Sequence, residues 1–181
     1  MNTKATTVAN SEILLAEDTA AITETNSPRS PVVQHLQHQL ANSILLFLEY
    51  KKCSWQSEGI AFRSLRETFD GFANQTKSIF DQLGERLRMI GQDPDLILDS
   101  LINGAGIRQS PTGLHFQDLL ATADANVISV IRELRDAIAD LRNNGDDPGS
   151  MDLLTSIVRQ HEEHEWFLRQ MLKSDAAQSS H

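Results

Sequence analysis

A bundle of four long helices with one long crossover connection is the fold class this sequence predicts. Apolar residues recur at helical spacing through four long segments. No segment shows the alternation of a strand with any strength, and no internal repeat of about 20–50 residues is present. The connections at the two ends are short, whereas the middle one, about residues 91–113, is long. That distribution marks a crossover bundle rather than a simple up-and-down meander.

Each element has its own signals. Residues 1–30 are rich in Ala, Thr, Asn, Ser and Glu, and are expected to be a flexible or loosely docked tail. "SPVVQHLQHQL" opens the first helix, with Ser30 as the expected cap and Pro31 at the first helical position. Leu36, Leu40, Ile44, Phe47 and Leu48 carry its stripe to about Trp55, and Gly59 breaks it. The second helix is expected over about Ala61–Ile90, with Leu65, Phe69, Phe72, Thr76, Ile79, Phe80, Leu83 and Leu87 on one face and "GQDPD" ending it. The connection holds a short helical piece at Leu96–Leu101 and the Gly-rich stretch "NGAGIRQSPTG". The third long helix covers about Leu114–Arg142, "NNGDDPGS" is a turn, and Ser150 is the expected cap of a fourth helix over about 151–173. The bundle is thus assigned to 31–173, and "SDAAQSSH" (174–181) to a polar tail.

With 181 residues the chain can bury one sizeable core. Its 40% apolar and 23% charged residues are those of an ordinary globular protein. The single cysteine, Cys53, allows no intrachain disulfide and fits a reducing compartment. No apolar run reaches membrane-spanning length, and the N-terminus lacks the pattern of a secretory signal, so the expected location is cytoplasmic. A net charge of −9 argues against general nucleic-acid binding, which needs cations to displace phosphate counterions. The first 30 residues repeat that sign, with Lys4 and Arg29 set against Glu12, Glu17, Asp18 and Glu24. An acidic surface attracts cations instead.

The candidate chemistry is cation binding. Asp81 and Glu85 stand four apart on one face of the second helix, and Asp70 lies eleven residues before Asp81, close to the same stripe. Three carboxylates in line suit a hard or borderline cation, although a solvated acidic face is the commoner meaning of such spacing. In "QHEEHEWFLRQML", His161 and His164 are three apart and can share a face. They lack the zinc-protease spacing, and a solvated polar face accounts for them more readily than a metal pair. His35 and His38 in "QHLQHQL" have the same geometry. No Glu-x-x-His occurs, so the ligand set of a di-iron centre inside one bundle is absent. Trp55 and Trp166 are expected to be packing residues, and Cys53 a small buried one.

"KKCSW", "EGIAF", "SLRETFD" and "FDQLGERLRMIG" keep an ungapped spacing from 54 to 85, and "NNGDDPGSMDLL" and "HEEHEWFLRQML" frame the last helix. From about Gln34 to Leu172 the sequence resembles the Dps family, miniferritins named as DNA-binding proteins from starved cells. The resemblance implies a ferritin-like four-helix bundle, a hollow dodecamer and a metal site at each two-fold interface. There the family oxidises ferrous iron, typically with hydrogen peroxide, and it stores ferric mineral inside. The five ligand positions fall on Ser54, Arg66 and Asp70 of one subunit and on Asp81 and Glu85 of its partner. Both histidine positions depart: serine is a poor ligand, and arginine stays protonated and cannot ligate.

The expectation is therefore an atypical or degraded ferroxidase centre. Arg66, four residues before Asp70, would supply the charge of the missing metal. Iron would then bind at a displaced site using His161 and His164, with peroxide or oxygen as oxidant, and zinc is the alternative cation. Otherwise the shell is inactive by itself, binding metal weakly or assembling with a competent relative. The resemblance also places Asp146, Asp147 and Asp152 at a three-fold pore, where helix-start chemistry is the plainer account, and Trp55 beside the metal site. Direct DNA binding is not expected at this charge.

Overall fold

The computed structural model describes residues 30–144 and 147–178, the side chains of 174–178 excepted. The expected tail before Ser30, the expected pore residue Asp146 and residues 179–181 lie outside this range. Among the described residues five helices follow in order: α1 (Pro31–Gln56), α2 (Phe62–Met89), α3 (Leu98–Gly104), α4 (Phe116–Asn144) and α5 (Pro148–Gln178). The described residues contain no strand. None of their helices is long and apolar enough to cross a membrane.

The helices pack as two pairs, α1 along α2 and α4 along α5, joined mainly where α1 lies against α4. Leu36, Leu40, Leu46 and Tyr50 of α1 meet Phe69, Ile79, Leu83 and Leu87 of α2, Leu120, Leu134 and Leu141 of α4, and Leu154 and Leu168 of α5, all essentially without solvent contact. Burying each such leucine contributes about 1.5–3 kcal/mol relative to leaving it in water.

Polar anchors fasten the crossover to α1. The buried Glu49 carboxylate accepts the Ser110 N–H at 3.0 Å and also the Ser110 hydroxyl. Lys52 Nζ donates to the carbonyls of Ser110 (2.6 Å) and Pro111 (2.8 Å). One turn-set earlier, Asn42 accepts the Gly106 N–H and donates to Glu133, each at 2.8 Å. A Cβ at Gly106 would run into that carboxylate, so a larger residue here would displace the Glu133 side chain from Asn42.

Several boundaries move for identifiable reasons. Ser30 is the N-cap of α1, but its hydroxyl makes no capping bond; its carbonyl instead accepts Gln34 N–H at 3.1 Å. The short helix starts two residues later than expected and ends at Gly104. Gln37 holds the Asp95 backbone through both amide groups, and Asp95 in turn accepts Ile97 N–H, keeping this stretch non-helical. Gly113, at φ +85°, delays α4 to Phe116. At α5 the cap is Asp147, not Ser150. Its carboxylate accepts the Ser150 N–H (3.0 Å) and hydroxyl (2.7 Å), Pro148 is the first helical residue, and the helix runs on to Gln178, past the expected end.

Candidate metal centre

Ser54, on the last turn of α1, and Asp70, on α2, come into contact. Ser54 is buried and donates its hydroxyl to Asp70 Oδ1 at 2.8 Å. The same oxygen accepts a second bond, from Lys51 Nζ at 2.5 Å. Arg66 lies one turn before Asp70, with Nε 3.9 Å from Oδ2 and a side chain half exposed. The carboxylate is thus held by an ammonium, a hydroxyl and a more distant guanidinium. Hydrogen bonding to Lys51 and then Ser54 holds its pKa below the usual carboxylate range, and Arg66 adds to this by charge.

Lys51 is the residue the sequence reading missed. The expected counter-charge was Arg66, yet the close contact belongs to Lys51. The signal was present, because Lys51 stands three residues before Ser54 and so shares its face of α1. Its ammonium also lies 5.4 Å from the ring centre of Trp55, within cation–π range. Within the single chain Trp55 is 67% exposed, and Trp166, 51% exposed, has its ring centre 4.7 Å from that of Phe167.

Asp81 and Glu85 are exposed on the same helix. Eleven residues separate Asp70 from Asp81, about 16 Å along a helix axis. A single chain therefore cannot close the three carboxylates around one ion. Among the described residues, no three His, Cys, Asp or Glu side chains converge on a metal position.

His161 and His164 are not on a solvated face. They are 0% and 1% exposed, in the centre of the bundle. His164 lies between Tyr50 Oη, 3.2 Å from Nδ1, and Gln75 Oε1, 2.6 Å from Nε2, with its ring 4.3 Å from that of Phe72. Neither ring nitrogen of His161 has a hydrogen-bond partner. Burial, with the neighbouring His164, depresses His161 to a pKa of about 3, and burial depresses His164 to about 4. Both are neutral at physiological pH. His35 and His38 each face a carboxylate of α4 instead, Asp140 at 2.7 Å and Glu133 at 2.9 Å.

Of the expected pore residues, Asp152 is exposed on α5. Asp147 is largely enclosed. It receives Arg86 Nη2 at 2.5 Å besides the two bonds from Ser150. Burial pushes its pKa up, but the Ser150 bonds and Arg86 outweigh that and leave it lowered. Cys53 is buried, as expected, and burial raises its thiol pKa.

Two helix pairs around one core, joined by a crossover that carries a short helix, define a ferritin-like bundle. The profile of the ferritin-like domain matches residues 33–176. An uncharacterized low temperature-induced protein of Nostoc sp. is 31% identical over 155 residues, 82% of this chain and 84% of the relative. The DNA protection during starvation protein of Brevibacillus brevis is 26% identical over 76% of this chain and 92% of its own. The crystal structure of Dps from Thermosynechococcus elongatus superposes with a TM-score of 0.74 at 29% identity, covering 78% of this chain and 89% of that one. The chain belongs to the ferritin-like domain family, in its Dps branch.

Proposed function

We propose that this chain is the subunit of a dodecameric iron-storage shell that protects against oxidative stress, with an interface ferroxidase centre neutralised by the protein's own cations. Family membership supports the iron and stress parts of this reading, as do relatives named for starvation and general stress. In an antiparallel two-fold pairing, Asp70 of one copy would meet Asp81 and Glu85 of another. Lys51, with Arg66 behind it, puts positive charge where iron would be expected. The observation that carries the reading is the joint hold of Lys51 and Ser54 on one Asp70 oxygen. A carboxylate already paired and hydrogen-bonded is a poor ligand, because the cation must first displace those partners. Iron would then enter through the acidic shell and be oxidised slowly at the mineral surface.

The test is ferrous iron added anaerobically to the purified shell, followed by limiting peroxide or oxygen, with ferric absorbance compared against a protein-free control. Wild type is expected to oxidise little faster than the control during the first iron additions. The pair Ser54→His and Arg66→His restores the imidazoles but leaves the ammonium, and is expected to gain little. Adding Lys51→Ala should release Asp70 and raise the initial rate above that of the double variant, because iron then meets the two introduced imidazoles with no ammonium to displace. Rapid oxidation by wild type would overturn the reading.

A further inference from the structure

Tyr50 is the chain's single tyrosine, and it is fully buried midway along the bundle. Its hydroxyl lies 3.2 Å from His164 Nδ1. With Gln75 Oε1 as acceptor at 2.6 Å, His164 Nε2 carries the imidazole proton. Nδ1 is left with its lone pair, and Tyr50 donates to it. Phe69 and Phe72 enclose the phenol at ring-centre distances of 6.3 and 5.4 Å.

A phenol in such a place is normally inert to oxidation. Loss of an electron turns it into a strong acid, and an apolar core offers no water to receive the proton. Contact with a neutral imidazole removes that obstacle. We infer that Tyr50 and His164 form a buried redox pair that stores one oxidising equivalent. In the step, the Tyr50 Oη–H bond breaks and an Nδ1–H bond forms on His164. One electron leaves for the oxidant, which is reduced by one equivalent. The oxidant class is a strong one-electron acceptor: a hydroxyl radical from peroxide and ferrous iron, or a tryptophan radical derived from it. The products are a neutral phenoxyl radical and an imidazolium hydrogen-bonded to it. Trp55, exposed beside Asp70, is five residues along α1, about 7.5 Å of helix rise away. Inward from it on α1 the oxidisable side chains are the buried thiol of Cys53 and then Tyr50, the one with an imidazole against its hydroxyl. Burial keeps the phenol protonated and the imidazole neutral beforehand, so the proton moves only with the electron.

The inference is independent of whether the interface oxidises iron, and its test uses none. The assembled shell is oxidised by a photogenerated ruthenium(III) polypyridyl complex and frozen for electron paramagnetic resonance. Wild type is expected to give a tyrosyl signal, assignable without ambiguity because there is one tyrosine, and Tyr50→Phe should abolish it. His164→Phe should slow its appearance by about a hundredfold, the lower end of what a positioned proton acceptor contributes. High-field spectra of wild type should show an exchangeable hydrogen bond to the phenoxyl oxygen, which needs no variant to fold. Tryptophan radicals alone in wild type, an unslowed His164→Phe, or a phenoxyl without that hydrogen bond would each overturn the pair.

Discussion

Two histidines in the core make stability depend on pH, and the sign follows from their burial. In the unfolded chain each titrates near the ordinary value of 6.5, whereas in the fold His161 and His164 titrate at about 3 and about 4. Between those limits the unfolded chain binds protons that the folded one refuses. Their contribution is therefore whole above pH 6.5 and is lost on acidification, at about 1.4 kcal/mol per pH unit for each histidine. Urea midpoints at pH 7 and pH 5 should differ by roughly 4 kcal/mol of stability for the pair. His161→Leu should halve that difference. It should also stabilise the protein at pH 7 by about 1–3 kcal/mol, because two buried nitrogens without partners disappear. An unchanged pH dependence in this variant would show that His161 is hydrated or charged in the fold. The burial was legible after all: Leu154, Ile157, His161, His164 and Leu168 recur every three or four residues, so both histidines stand on the apolar stripe of α5. The glutamates between them drew attention to the wrong face.

At the scale of the element, sequence periodicity located each long helix of the described residues, and the differences gather at ends. Ends are set by capping and tertiary anchors rather than by propensity. The start of α5 shows this well. "DDPGS" offers both Asp147 and Ser150 as caps, and the choice depends on Arg86, which arrives from the far end of α2 and donates Nε to Ser150 Oγ at 2.9 Å and Nη2 to Asp147. No local pattern announces that partner. Asp147→Ala should cost about 1–2 kcal/mol, from the lost cap and the stranded guanidinium. The loss should show as a lower thermal midpoint and as faster amide exchange in the first turn of α5. Asp152→Ala, on the exposed face nearby, should change neither; equal effects would mean that the cap does not govern this end. The candidate site divides the same way. Asp70 was legible from helical spacing and Ser54 only from the family resemblance, whereas the hold of Lys51 on Asp70 depends on how α1 lies against α2.

The whole molecule carries surface that a lone subunit does not account for. Leu98 and Ile102 stand four residues apart on α3, 73% and 59% exposed, and Leu96 and Ile97 just before them are 59% and 67% exposed. Apolar side chains clustered this way on a short helix mark an interaction surface. Stable interfaces between subunits bury about 1,200–2,000 Å² in total, more than α3 supplies alone. Asp81 and Glu85 on α2 repel their own copies, so in the two-fold pairing proposed above they would be set against cations, and Lys51 and Arg66 are the cations beside Asp70. In that proposal assembly and a neutralised metal site are linked, since the charge held at Asp70 would also be the one that lets the acidic faces meet. Ile102→Glu tests the apolar half of this. It should leave helix content unchanged by circular dichroism and shift sedimentation from the shell to dimers or monomers, because each copy would bury a carboxylate without a partner. Arg66→Glu tests the charged half and should give the same shift, weakened at high salt as screening relieves the repulsion. Intact shells from both variants would place the subunit contacts on another face of the bundle.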